Sequence, residues 1–342
     1  MGKFELLSRC RTGAAAVVLA VGVLSAPWAA HAAASGQCTV NGKAVPAGRN
    51  VMGTPGKDDI ECTGPIDFRV NGGRGDDKIV IHGDVVAGGV VDGGFGNDTI
   101  TVTGSVTSGG KVTGGPGDDR IDVGQVLTPP ADPGTVPESG DVDGGRGNDI
   151  ITVDRGPLTG AIHGDDGDDT IKVAGDVTGF GYINGDFGND TITVTGSVKA
   201  DQRPTAIEGG PGNDVITTGD VYGSGIDGGA GDDTITTGTV SHSARVDGGE
   251  GNDRITVGVV YGLADVSGNG GDDVIEAKAL APSRGFARIT GGGGKDQIRG
   301  IGNTVLVVGP SPGVLDGGSD PHDTCKAKAV GQGVIKGCKL TS

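Results

Sequence analysis

An aspartate that follows a glycine-rich segment recurs about every twenty residues along most of this chain. In one copy, VDGGFGNDTITV at residues 91–102, three glycines and two acids precede four residues that favour strands. Ordered glycine costs backbone entropy, and carboxylates stacked in a regular fold repel one another. A chain that repeats both features needs a cation between its acids, so these residues point to metal-ion binding.

Eleven copies of this segment align on their glycines between residues 70 and 300, with first-glycine spacings of 19 to 30 residues. The residue two positions before the first glycine is always Val or Ile. The residue two positions after the aspartate is always Ile, at Ile79, Ile100, Ile121, Ile151, Ile171, Ile192, Ile216, Ile235, Ile255, Ile275 and Ile298. If each copy is one turn of a solenoid, these isoleucines stack into a core that no single repeat could bury alone.

The segment after each aspartate has the alternation of a half-buried strand. In TITV it places Ile100 and Val102 inward and Thr99 and Thr101 outward. Extra residues fall between one strand and the next Val or Ile, as in the proline-rich segment 126–140, and never inside the glycine loop. The sequence therefore predicts an all-β, parallel β-solenoid with about twenty residues per turn, whose insertions bulge from the edge opposite the glycine loops.

Residues 1–32 have the pattern of a secretory signal peptide. Lys3, Arg9 and Arg11 precede an eleven-residue apolar run, and a small-x-small site ends at Ala32. The run is short for a membrane span, and no second apolar run follows it. We therefore expect a secreted, extracellular chain that begins near Ala33 and is not inserted in a membrane.

The composition limits the partners of the exported chain. After removal of residues 1–32 it would carry 24 Lys and Arg against 43 Asp and Glu, a net charge of −19. Such a charge argues against nucleic acid and anionic membrane as partners. Only 34% of the residues are hydrophobic and 3% aromatic, so a large globular core is not expected.

The motif GGxGxDxI, seen at Gly93, Gly94, Gly96, Asp98 and Ile100, resembles the nonapeptide calcium-binding repeat of secreted bacterial RTX proteins, also called hemolysin-type repeats. The resemblance covers 231 of the 342 residues. It implies a right-handed parallel β-roll in which the glycine loops of adjacent turns hold Ca²⁺ through backbone carbonyls and the aspartate. The chemistry agrees, because Ca²⁺ takes six to eight oxygen ligands and glycine lets the backbone approach closely.

Carried across the eleven copies, the resemblance assigns one carboxylate ligand to each loop. These ligands are Asp77, Asp98, Asp119, Asp149, Asp169, Asp190, Asp214, Asp233, Asp253, Asp273 and Asp296. The Asn or Asp before each ligand suits a left-handed turn and is interpreted as conformational. Lys295 takes that position in the last loop, and Asn269 replaces the second glycine in the tenth. The two C-terminal loops therefore depart from the motif.

The segments that flank the repeats read as caps. We assign an N-terminal cap to residues 33–69, the eleven-repeat roll to 70–300 and a C-terminal cap to 301–342. GTPGKDDI at 53–60 and DGGSDPHDTC at 316–325 look like degenerate repeats. The four cysteines left after export lie outside the regular repeats, and an even number in an exported chain suggests disulfides. We predict the pairs Cys38–Cys62 and Cys325–Cys338, one at each end of the solenoid.

The chain has no arrangement typical of an enzyme. Its histidines after residue 32 are spread along the sequence without a metal-spaced pair or a nucleophile motif, at His82, His163, His242 and His322. We therefore expect a non-enzymatic calcium-binding β-roll that folds on binding Ca²⁺ after export.

Two other functions stay open. One is a cell-surface adhesin, scaffold or surface-recognition module with an unidentified cell-surface or polysaccharide partner. Recognition of ice or a crystalline surface would use the outward threonine column Thr193, Thr217, Thr236 and Thr256. The other, less favoured, is a calcium-dependent polysaccharide lyase, whose basic groove and aromatic subsites the sequence lacks.

Overall fold

The computed structural model describes residues 36–46, 49–107, 109–128, 138–199, 204–281, 286–308 and 313–341. The predicted signal peptide, residues 1–32, lies outside these ranges. Residues 34–342 form one compact unit, and its described part consists of strands and turns without a helix. Accordingly, the described residues contain no apolar helix long enough to cross a membrane.

The parallel β-solenoid predicted from the repeats is confirmed, with about 13 turns of about 21 residues each. In the described part of the chain, each turn adds one strand to a 14-stranded sheet and one or two strands to a 21-stranded sheet. We call the first the glycine sheet, because its strands carry the first glycines of the motif, and the second the isoleucine sheet. The glycine loop joins the two sheets within each turn.

The strands of the glycine sheet are Val51–Met52, Arg69–Arg74, Val90–Phe95, Lys111–Pro116, Asp141–Arg146, Ala161–Asp166, Tyr182–Asn184, Thr205–Pro211, Gly225–Ala230, Arg245–Glu250, Asp265–Gly270, Arg288–Gly293, Val314–Gly318 and Val334–Lys336.

The strands of the isoleucine sheet are Gln37–Val40, Lys43–Val45, Asp59–Thr63, Lys78–His82, Thr99–Thr107, Arg120–Leu127, Ile150–Val153, Thr170–Val173, Val177–Thr178, Thr191–Val194, Val198–Lys199, Val215–Thr217, Val221–Tyr222, Thr234–Thr236, Val240–Ser241, Arg254–Val260, Val274–Leu280, Gln297–Gly300, Leu306–Val308, Thr324–Ala329 and Lys339–Leu340.

The predicted isoleucine column is the centre of the core. Its members pair in parallel register from Ile79 opposite Ile100 to Ile275 opposite Ile298, and each is at most 1% exposed. Ile60 and Cys325 extend the column by one turn at each end. Burying each isoleucine contributes about 1.5–3 kcal/mol, and this repeated gain lets a narrow solenoid with few aromatic residues hold together.

The isoleucine sheet bends around the core in the second half of each turn. In strand Thr99–Thr107 the chain passes Gly104 and continues to the buried Val106, which pairs with Val126 of the next turn. A Cβ at Gly104 would lie 2.4 Å from the carbonyl oxygen of Gly83. The bend therefore requires glycine, because adjacent turns stack backbone on backbone at this corner.

Both predicted disulfides are present. Cys38 and Cys62 are bonded and face each other in an antiparallel pairing of Gln37–Val40 with Asp59–Thr63. Cys325 and Cys338 are bonded across the last two turns. The N-terminal hairpin therefore covers one end of the isoleucine sheet with antiparallel strands, whereas the C-terminal end finishes with parallel strands.

Candidate metal-binding edge

One buried aspartate per turn lies at the edge where the glycine loop enters the isoleucine sheet. All eleven predicted ligands occupy this column, and Asp58 and Asp323 of the two cap segments extend it. Each of these side chains belongs to a residue that is at most 2% exposed. Each aspartate directly precedes its strand, two positions before the inward-facing isoleucine column, and the acids are therefore part of the interior and not of the surface.

The aspartates form a continuous hydrogen-bonded ladder along the solenoid axis. From Asp77 to Asp323, each Oδ1 atom accepts the backbone N–H of the aspartate one turn earlier, at 2.6–2.9 Å. The N–H of Asp98, for example, donates to Asp119 at 2.6 Å. This ladder fixes one oxygen of every carboxylate and sets the orientation of the other.

The second oxygen of nearly every carboxylate in the column has no hydrogen-bond donor. The Oδ2 atoms are buried and without a hydrogen-bond partner at Asp77, Asp98, Asp119, Asp149, Asp169, Asp190, Asp214, Asp233, Asp253, Asp273, Asp296 and Asp323. At the first turn, in contrast, Asp58 Oδ2 accepts from the Thr54 hydroxyl at 3.0 Å. Leaving one buried polar atom without a partner costs about 1–3 kcal/mol, and more when it is charged. A row of such atoms fits a row of bound cations.

The first glycine of each motif keeps a space open beside the free carboxylate oxygen. A Cβ at Gly185 would lie 2.3 Å from Asp190 Oδ2 and 2.5 Å from the carbonyl oxygen of Gly209 in the next turn. At Gly72 the corresponding distances are 2.5 Å, to Asp77 Oδ2, and 2.2 Å, to Gly93 O. Carboxylate and backbone carbonyl oxygens therefore border the same space, and these are the donors that Ca²⁺ combines.

The second and third glycines of the motif adopt positive φ, as Gly94 at 110° and Gly96 at 125° do. Three loops replace the second glycine with a residue that tolerates positive φ: Asp165 at 72°, Asp186 at 67° and Asn269 at 72°. The replacements at Asp165 and Asp186 are also readable in the sequence, in HGDDGDD and NGDFGND. All three loops retain a buried aspartate, so the replacements keep the backbone path.

The Asn or Asp before each ligand has a different role from the one predicted. No residue of this column has positive φ in the described loops, so the left-handed interpretation is wrong. Its Oδ1 instead accepts a backbone N–H from the next turn, as Asp76 does from Asn97 at 3.0 Å. The pattern continues to the backbone N–H of Lys295, which donates to Asp272. An exposed ladder thus runs beside the buried one and holds adjacent loops in register.

Burial raises the pKa of the aspartates in the inner column. Desolvation is the largest cause, and neighbouring aspartates add to it, so that the pKa rises to about 7 at Asp98 and about 8 at Asp169. The pKa is also raised to about 6 or 7 at Asp119, Asp149, Asp190, Asp214, Asp233, Asp253, Asp273 and Asp296. Protons therefore compete with a cation for these carboxylates closer to neutral pH than at an ordinary aspartate.

Other parts of the described chain offer no comparable centre. No three His, Cys, Asp or Glu side chains of the described residues converge as a metal-binding group, so an ion at the edge would take most of its ligands from backbone carbonyls. The four histidines within the described ranges lie on separate turns, where they contact Glu61, Asp186, Ser241 and Asp320.

Comparison with known families identifies the repeat. The model of the RTX calcium-binding nonapeptide repeat matches residues 90–102, 206–220, 226–239 and 245–259. These four segments are RTX calcium-binding repeats. Each matched segment contains one glycine loop with its buried aspartate: Asp98, Asp214, Asp233 and Asp253. The glycine loops outside these segments have the same ladder and the same free oxygen, and calcium is the cation that RTX repeats bind.

A solved structure similar to this chain is that of a hyperactive, Ca²⁺-dependent, β-helical antifreeze protein from an Antarctic bacterium. The two are 24% identical, with 84% of this chain aligned to 79% of that chain and a TM-score of 0.47. No curated protein matches the chain.

Proposed function

We propose that the chain is an exported, non-enzymatic RTX β-roll that folds when calcium binds to its buried aspartates. The observation that carries the proposal is the row of free Oδ2 atoms, one in each successive RTX loop. One such atom alone would be weak evidence. A row of buried carboxylate oxygens along one edge, however, requires positive charge at every turn. Within the described residues, no Lys or Arg forms an ion pair with the column.

The ions would lie in single file along this one edge. Eleven regular loops have ten gaps between neighbours, and ten Ca²⁺ ions would bring +20 against the net charge of −19 expected for the exported chain. Each central ion would be shared by two turns, because the free carboxylate oxygen of one turn borders the backbone carbonyl of the next. Binding at neighbouring sites should therefore be cooperative.

Calcium would act chiefly on folding. A chain with few apolar residues and a large negative charge is poorly stable without neutralisation, and binding energy at sites formed only by the fold is folding energy. Export agrees with the two disulfides, which form in oxidising compartments. An affinity of about 10⁻⁴–10⁻³ M would suit an extracellular module, although cooperativity would tighten it.

The test is far-ultraviolet circular dichroism of the mature chain, freed of metal at neutral pH and then titrated with calcium or magnesium. We expect a largely disordered spectrum that becomes β only with calcium, because Mg²⁺ demands near-ideal octahedral geometry and dehydrates reluctantly. A full β spectrum in excess chelator, or an equal response to magnesium, would contradict the proposal.

A second candidate function concerns the threonines on the outer face of the isoleucine sheet. Thr193, Thr217, Thr236 and Thr256 pair in register over four turns. A regular array of this kind is what recognition of ice or a crystalline surface requires, and Thr191 and Thr234 lie beside it. Thermal hysteresis of the calcium-loaded protein tests this function, and its absence would exclude it.

A further inference from the structure

We propose that the C-terminal end of the isoleucine sheet binds an acidic polysaccharide through a cationic surface, here called the basic face. The proposal does not depend on which residues bind calcium. The basic face consists of the outward side chains of Arg254, Lys278, Arg299, Lys326, Lys328 and Lys339.

Charge is segregated at this end of the molecule. The six cations share their face with one acid, Glu276, while the chain as a whole has a formal charge of −17. The acids of the chain are concentrated instead in the RTX loops and on the glycine sheet. The net charge of the chain therefore does not describe this end of the molecule, since a charged patch attracts its partner over about a Debye length, about 8 Å at physiological salt.

The acid between the two arginines binds both of them. Glu276 is 6% exposed and accepts from Arg254 Nη2 at 2.8 Å and from Arg299 Nε at 2.9 Å. Arg299 Nη1 also donates to Gln297 at 2.9 Å. A guanidinium carries five N–H donors in a planar fork, so this arrangement leaves donors on both arginines for oxyanions outside the protein.

The lysines supply cations without internal partners. Lys278, Lys326, Lys328 and Lys339 form no ion pair within the described part of the chain. Lys326 pairs in register with Arg299 of the preceding turn, and Lys339 with Thr324. Because neighbouring strands are about 4.8 Å apart, Arg299 and Lys326 stack directly, and Lys339 lies on the following strand, two positions out of register with Lys326. These cations form a cluster to which a polymer bearing repeated carboxylate or sulfate groups can bind.

The shape of the face favours a polysaccharide over nucleic acid. Reading a duplex requires an element that enters a groove, and binding single strands requires aromatic side chains on which bases stack. The basic face is a bent sheet with neither a helix nor an aromatic residue among its described side chains. A flexible acidic glycan held by charge and hydrogen bonds needs neither feature.

The test is salt elution from immobilised heparin at saturating calcium, compared between wild type and the triple variant Lys326→Gln, Lys328→Gln, Lys339→Gln. We expect wild type to be retained and the triple variant to bind about tenfold more weakly, the combined effect of three exposed ion pairs. Melting temperatures in calcium verify that both are folded. If the glutamine variant does not fold, the corresponding Lys→Arg triple variant, which must bind like wild type, replaces it.

A matched control removes the same charge elsewhere, in the triple variant Lys43→Gln, Lys78→Gln, Lys172→Gln. It should elute close to wild type, because these exposed lysines lie away from the basic face. Equal weakening of both variants, absence of heparin binding, or tighter binding of a short DNA duplex than of heparin would overturn the proposal. Competition by hyaluronan, which carries only carboxylates, identifies the acidic group recognised. Loss of heparin binding with calcium-dependent folding intact would leave the proposed function standing.

Discussion

Acidic residues lie in two columns along the solenoid, and their partners differ. The inner column has one aspartate in every turn, whereas the outer one, on the glycine sheet, is interrupted by residues such as Thr113 and His163. On the outer face of the glycine sheet, acids are paired with cations of the same chain: Asp92 with Arg69, Asp143 with Lys111, Asp247 with Arg245, and Asp316 with Lys336. In the inner column of the RTX loops, no such pairs occur within the described residues. The acids of the glycine sheet thus have cations of the same chain beside them, whereas the inner acids lack such partners and are the proposed calcium ligands.

The largest loss of stability is expected for a substitution of a central aspartate in the inner column. Asp190→Ala removes a carboxylate bordering two turns, so we expect two sites to be disturbed and a loss of about 3–5 kcal/mol, as for breaking a buried ion pair. Asp77 lies near the N-terminal end, so Asp77→Ala should cause a smaller loss of stability, because fewer turns depend on this residue. Calcium-dependent melting temperatures of the two variants measure the difference, and equal, negligible changes would contradict the shared-ion arrangement.

A glycine substitution tests the same space without removing charge. Gly185→Ala would place a methyl group 2.3 Å from Asp190 Oδ2, so we expect the calcium stoichiometry to fall and the midpoint of the calcium titration to rise severalfold. Gly56→Ala is the control, since a Cβ there meets no atom within 4 Å. If the two variants titrate alike by isothermal calorimetry, the space beside the aspartate is not the ion site.

The raised pKa values predict opposite effects of pH on the metal-free and calcium-loaded forms. The pKa of Asp98 is about 7 in the folded chain, and an unfolded aspartate has a pKa of about 3.9. Such a group contributes its full stabilisation of the fold below the unfolded pKa and loses it as the pH rises through about 7. Metal-free protein should therefore gain β structure as the pH falls from about 8 to about 5, while calcium affinity decreases. Circular dichroism and calcium titration at both pH values check this. Metal-free stability that increases with pH would refute it.

The smallest loss of stability is expected for an acid of the glycine sheet that is paired with a cation of the same chain. Asp92→Asn leaves Arg69 largely exposed, so we expect a loss of at most about 1 kcal/mol and no change in the number of bound calcium ions. Urea unfolding in calcium and equilibrium dialysis measure the two quantities. A lost calcium ion in this variant would show that the paired acids also take part in binding, and the distinction between the columns would fail.

Much of this architecture is encoded locally and could be predicted from the sequence. The position of Ile100 two residues after Asp98 fixes the inner face of the strand, and repetition of that spacing fixes the stack. The cysteine pairs also followed from their location outside the regular repeats. These features depend on one turn and its copy, so a single sequence contains them.

Other features depend on contacts between turns that the motif alone does not specify. The outer ladder from Asp76 to Asn97 uses a side chain of one loop and the backbone of the next. The pairing of Asp92 with Arg69 joins residues 23 positions apart. The basic face could not be predicted from the net charge of the chain, because the net charge does not show on which sheet each charged residue lies.

The most direct test of the central claim is to locate the ions by anomalous diffraction from crystals grown in calcium. The inner column predicts a single file of peaks along one edge, each bordered by a free aspartate Oδ2 and glycine carbonyl oxygens of adjacent turns. Peaks at the paired acids of the glycine sheet, or a well-ordered inner column with no ions beside it, would contradict the account.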